Sequence, residues 1–200
     1  MSGSFPTSPA PNSVQVRSFE PTLVSVSNSL KRQTRSRGTQ RWLMSVNYSP
    51  MTRANFAPLY AFSMKQKGQF DTFTFTPPVI STTQGQSSES PVVNGALAVG
   101  VSSAAIDGLT ASTSDILKAG DFFKFSGHTK VYMATDDMDS DGSGDATLNF
   151  APALVNAVAN DETLTISAVP FTVAFTTDFN SFNTDASSLY GFSIELAEVF

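Results

Sequence analysis

Asp137, Asp139 and Asp141 alternate and run into Gly142. Three carboxylates at every second position, followed by a residue that lets the chain turn sharply, can wrap a hard cation, and the first six positions of a calcium loop read this way. The twelfth position of such a loop needs a bidentate glutamate; here it is Leu148, and the flanks alternate like strands. An ordinary hairpin loop is the simpler reading, with Asp137, Asp139 and Asp141 kept as the one metal candidate. His128 is the only histidine and follows Gly127, the pattern of an exposed turn, and nothing in its spacing pairs it with a nucleophile and an orienting acid. Glu195 and Glu198 are three residues apart, so on a strand they face opposite sides and do not make the carboxylate pair of a glycosidase. The chain has no cysteine, hence no disulfide, thiolate nucleophile or cysteine metal site. No catalytic residue and no cofactor site emerges, and the chain does not read as an enzyme.

The charges say more by their placement than by their sum of −5. Residues 1–67 carry nine Lys/Arg against the single acid Glu20, a balance of +8; residues 68–200 carry three lysines against sixteen acids, a balance of −13. Lys31, Arg32, Arg35, Arg37 and Arg41 form the densest basic stretch. A solvated basic hairpin explains it most simply. Nucleic-acid binding is disfavoured because the cluster lacks interleaved aromatics, apart from Trp42 at its edge. The third reading is head-to-tail self-assembly, in which the basic part of one copy meets the acidic part of the next; such a contact closes into a ring when the rotation allows. Arg32, Arg35, Arg37 and Arg41 are then the candidate subunit interface.

The elements that must position these residues are mostly strands. Charged residues are scarce, at 14%, and Ser, Thr, Asn and Gly fill their place. Trp42, Met44, Val46 and Tyr48 alternate on one strand. Thr52 can cap a helix over about 52–67, whose face is Phe56, Leu59, Tyr60, Ser63 and Met64, with Gly68 as a left-handed stop; Pro58 predicts a start nearer Asn55 or a kink. Phe73 and Phe75 alternate on the next strand, and Tyr190, Phe192, Ile194 and Leu196 on the last. Val14–Phe19 and Leu23–Leu30 read as strands, the second running into the basic stretch, where neither face is apolar; this part projects as a hairpin, turned back at Gly38. Ser81–Ser90 reads as a polar linker, and strands at Phe122–Phe125, Lys130–Thr135, Ala146–Phe150 and Leu164–Ile166 suggest a small antiparallel barrel or sandwich. The expected fold is mainly β: a barrel or sandwich domain with one α-helix from 14–78 plus 169–200, a small antiparallel β domain inserted at 79–168, and a flexible arm at 1–13. That arm is polar and proline-rich without an apolar core, so it does not read as a signal peptide, and no apolar run is long enough to span a bilayer.

Three segments carry a family resemblance. Arg41-Trp42 with Tyr48–Phe62 and Gly68–Phe73 resembles a segment of tailed-phage tail-tip proteins; Leu117–Asp121 through Asp141–Leu148 resembles the inserted hairpin of that group; and Leu189–Ser193 resembles its closing strand. The family is the distal tail, or baseplate hub, protein. The resemblance implies a structural virion protein, assembled in the host cytoplasm, whose belt domain forms a hexameric ring at the end of the tail tube and whose outer β domain contacts adhesion devices. It implies as partners other copies of the chain, the tail tube, and tip, hub or fibre proteins, with no membrane, and with nucleic acid only as DNA passing the lumen. A receptor- or carbohydrate-binding β module, or another tail or connector protein, is the alternative. The chain departs from the family in being poor in tryptophan and arginine near its end.

Overall fold

The computed structural model describes residues 2–200 as a mainly β protein with one helix. The chain forms two compact units, one of Pro11–Asp71 with Ala174–Glu198, the other of Thr72–Val173 with the described residues through Ala10 and Val199–Phe200.

In the first unit, β1 (Ser13–Phe19) pairs β4 (Arg41–Met51), which pairs β14 (Tyr190–Glu198), which pairs β13 (Phe182–Thr184); every pairing is antiparallel. The alternation of β4 does what its pattern dictates: Trp42, Met44, Val46 and Tyr48 are buried, and Phe192, Ile194 and Leu196 of β14 come into register with Tyr48, Val46 and Met44. A bulge between Tyr190 and Phe192 turns the start of β14. Helix α1 (Arg53–Lys65) sets Phe56 against Tyr190, Phe182 and Phe192, with ring centroids at 4.8, 4.9 and 5.7 Å. The helix starts at Arg53, with Thr52 in the N-cap position but making no side-chain cap bond. Pro58 lies inside it as the sixth residue, past the first turn, and the expected later start does not occur: the helix runs through the proline and forgoes the one bond its N–H would make to the Ala54 carbonyl. Met64, assigned to the buried face by spacing, is exposed, and Gln66 is buried in its stead, its amide donating to the Phe62 carbonyl.

Strands β2 (Thr22–Val26) and β3 (Arg32–Ser36) form a separate two-stranded sheet. The alternation expected to run to Leu30 stops at Val26. The turn is at Ser27–Lys31, closed by Ser27 N–H to the Lys31 carbonyl, with Leu30 at φ 61°. Gly38, expected to reverse the chain, lies after the hairpin instead, where Arg37 N–H donates to the Pro21 carbonyl.

In the second unit, β5 (Phe73–Phe75) pairs β12 (Phe171–Phe175) through Phe171↔Phe75 and Val173↔Phe73. The stretch read as an arm is held here from Ser2 on: Ser2 N–H donates to Thr72 O, Phe5 N–H to Thr74 O, and Phe5 is buried with its ring 5.8 Å from that of Phe73. One aromatic in a polar run is enough to anchor it. The rest of the unit is a six-stranded antiparallel sheet in the order β11 (Leu164–Thr165), β8 (Phe122–Phe125), β9 (Tyr132–Ala134), β10 (Ala146–Ala151), β7 (Ser103–Asp107), β6 (Val92–Val93). A bridge from Val92 to Thr163 and hydrogen bonds from Val93 N–H to Glu162 O and Leu164 N–H to Pro91 O join its two ends, giving a nearly closed barrel. Closure removes the exposed edge that an open sheet presents. Phe123, Phe125, Tyr132 and Phe150 fill it, with edge-to-face contacts such as Phe125 to Phe150 at 6.0 Å.

Candidate assembly interface

The four arginines singled out from the sequence fall in two places. Arg32 and Arg35 are on β3, opposite Val26 and Leu23 of β2, and their odd spacing puts them on opposite faces of the hairpin. Arg37 follows the strand. Arg41 opens β4 opposite Phe19, and its guanidinium carbon stands 5.6 Å over that ring. Among the described residues Arg32, Arg35 and Arg37 have no side-chain hydrogen bond or ion pair, whereas Arg17 on β1 meets Glu195 at 3.4 Å. Every residue of β2 and β3 is exposed, and the hairpin carries an open groove of about 430 Å³ lined by Leu23, Val24, Ser25, Gln33, Thr34 and Arg35.

The aspartates of the loop between β9 and β10 are turned to different work. Asp137 accepts from Ala119 N–H at 2.8 Å, Asp139 from Asp115 N–H at 2.7 Å, and Asp141 from Ser143 and Asp145 N–H at 2.7 and 3.0 Å. The bonds from the Asp145 and Ser143 backbones hold the Asp141 carboxyl below its usual range. Among the described residues no group of three or more such side chains converges as a metal set. An open cleft of about 630 Å³ lies alongside Asp139, Asp141 and Asp145.

Two polar groups that the sequence hid are buried in the barrel unit. His128, read as an exposed turn residue, is buried, with Nδ1 3.1 Å from Tyr132 Oη and Nε2 3.3 Å from Ala157 O. Its turn is real, but the ring folds inward over Phe125, at 5.4 Å. Asp121 ties down the stretch read as a linker. Burial raises its pKa, but the Thr83 hydroxyl, Lys118 N–H and both the backbone and side-chain amides of Gln84 donate to its carboxylate and hold it below the usual range. Ser81 and Thr83 are buried as a result. Only the distance in sequence between Thr83 and Asp121 kept this clasp out of a local reading. Glu195 is half exposed and Glu198 is buried, where its carboxylate accepts from Trp42 N–H at 3.1 Å; on the strand they face apart, as their spacing requires.

Residues 80–169 match the family model described as the distal tail protein pb9, B domain. No curated protein matches the chain. The match spans the nearly closed barrel from the Asp121 clasp through β11. Residues 80–169 are therefore similar to the B domain of a phage distal tail protein, and the match supports a structural role in a phage tail.

Proposed function

We propose that the protein forms a ring, of six copies, at the distal end of the tail tube, and that the ring joins the tube to tip or fibre proteins of the baseplate. Residues 14–78 with 169–200 supply the ring and residues 79–168 the outward domain. The observation that carries this is the hairpin Thr22–Ser36: it is exposed on both faces, and its arginines have no partner within the described chain. Strand β1 supports it, because as the end strand of its sheet it leaves a row of backbone groups open for pairing with another copy. The split of charge gives each copy a basic part and an acidic part, which suits a head-to-tail contact rather than a two-fold one. Arg32, Arg35, Arg37 and Arg41 form the basic side of that contact. The role is scaffolding without catalysis or cofactor. No helix among the described residues is long and apolar enough to cross a membrane. Gold labelling of the tagged protein on intact virions tests the placement: label at the free end of the tube is the expected result, and label along the tube or at the head overturns it.

A further inference from the structure

We propose that the hairpin Thr22–Ser36 folds as it docks: loosely ordered in the single copy, it becomes fixed when it seats on a second copy of this chain. This rests on the ring reading and adds to it the step that controls assembly. A two-stranded ribbon alone is marginal in water, because stability needs a third strand or a packed face. Here β2 and β3 pair only with each other, and none of their residues is buried. The apolar side chains that would have to stabilise it stand in solvent: Leu23 is 49% exposed, Val24 52%, Val26 57% and Leu30 84%. Below the hairpin, in contrast, β4 is held on both sides by β1 and β14. Opening free energy therefore drops sharply between Phe19 and Thr22.

The register names the chemistry of the occupant. Val26 is cross-strand from Arg32, and Leu23 from Arg35, so each face sets an aliphatic side chain beside a guanidinium. What covers such a face offers apolar contact and carboxylates together. Residues 169–200 of a second copy, part of the ring-forming portion, hold four acids and no lysine or arginine, whereas residues 22–37 hold four cations and no acid. Charge complementarity thus selects another copy of the chain. The bare arginines would steer the encounter, and the strands would gain their missing packing only in the assembled state.

Hydrogen exchange on the full chain tests this, first diluted until native mass shows single copies and then at a concentration where it assembles. In single copies the amides of 23–26 and 32–36 should exchange at least ~100-fold faster than those of Met44, Val46 and Ile194, and assembly should slow them at least ~10-fold. Val24→Asn with Val26→Asn, which keeps every charge, should cut the assembled fraction at least ~10-fold and leave the exchange of β4 unchanged. A hairpin as protected as β4 in the single copy overturns the proposal, as does an assembly that forms with the hairpin still unprotected; in both cases the ring reading survives. Protection gained only from a DNA oligonucleotide, or only in whole tails and not in the purified oligomer, overturns the second copy as occupant. A chain that stays single at every concentration removes the ring reading and this proposal together.

Discussion

The nearly closed barrel and the hairpin of the other unit are both built from short antiparallel strands, yet they solve opposite problems. The barrel joins its end strands through Val92 and Thr163 and buries Phe123, Phe125, Tyr132 and Phe150 among themselves. The hairpin leaves both outer edges and both faces open. A closed sheet finishes its hydrogen bonds internally and is complete as one copy; an open two-stranded ribbon is complete only against something else. On the ring reading proposed above, that contrast separates the part that can stand alone from the part reserved for contact.

Substitutions should divide along the same line. The largest effect belongs to the barrel core: Phe125→Ala, at a site with no exposure, should lower the stability of the barrel by about 3–5 kcal/mol. Val24→Ala in the hairpin should change it by less than about 0.5 kcal/mol. Exchange of the β8 and β10 amides in denaturant reads the difference, because Trp42, the only tryptophan, is in the other unit and does not report on the barrel. Comparable losses at both sites would erase the contrast.

The clasp at Asp121 comes next. Asp121→Ala removes a charged acceptor from several donors at once and should cost about 2–3 kcal/mol, read as early exposure of residues 81–90 to protease. Its pH dependence has a definite sign. The folded carboxyl lies below the ordinary aspartate range, so its contribution is complete above that range and is lost as pH falls through and below it. The wild type should lose the clasp in that acid window, whereas Asp121→Asn should show no such step. A linker that stays protected in both variants would mean that the other contacts of the loop hold it. Gly85→Ala should loosen the same loop by about 1–3 kcal/mol, because an added Cβ would run into the Asp115 carbonyl on fixed backbone.

The smallest effect is expected at Tyr48. Its hydroxyl is buried without a hydrogen-bond partner among the described residues, and burial pushes its pKa up. Tyr48→Phe removes that unsatisfied group while keeping the ring beside Phe192, so it should be neutral within about 0.5 kcal/mol or slightly stabilising, followed by Trp42 fluorescence. A loss above about 1 kcal/mol would show that the hydroxyl is bonded in solution.

What could be read from the sequence was what strong periodicity controls. The faces of β4 and β14 and the single helix follow from apolar spacing alone, whereas the left-handed stop expected at Gly68 begins one residue earlier, at Lys67, after the Gln66 C-cap. Strand β7 escaped because Ser103-Ala104-Ala105-Ile106 has side chains too small to show alternation, although Ala104 and Ile106 are buried. His128 and the 81–90 stretch escaped because their partners, Ala157 and Asp121, are far along the chain. The hairpin was legible as a projecting basic element but not its turn, since Ser27–Lys31 continues the polar composition on either side. Of the candidate interface, the sequence placed the charges, and the odd spacing of Arg32 and Arg35 already sets them on opposite faces; the structure adds their cross-strand neighbours, Val26 and Leu23, so that a partner engaging both must close over both faces of the hairpin.

Native mass measurement of the purified chain, beside the double variant Arg32→Glu with Arg35→Glu, tests the central claim most directly. The account predicts a closed oligomer of six copies for the wild type and a shift to single copies for the variant. An oligomer that survives the double charge reversal unchanged, or a wild type that never leaves the single copy, would contradict it.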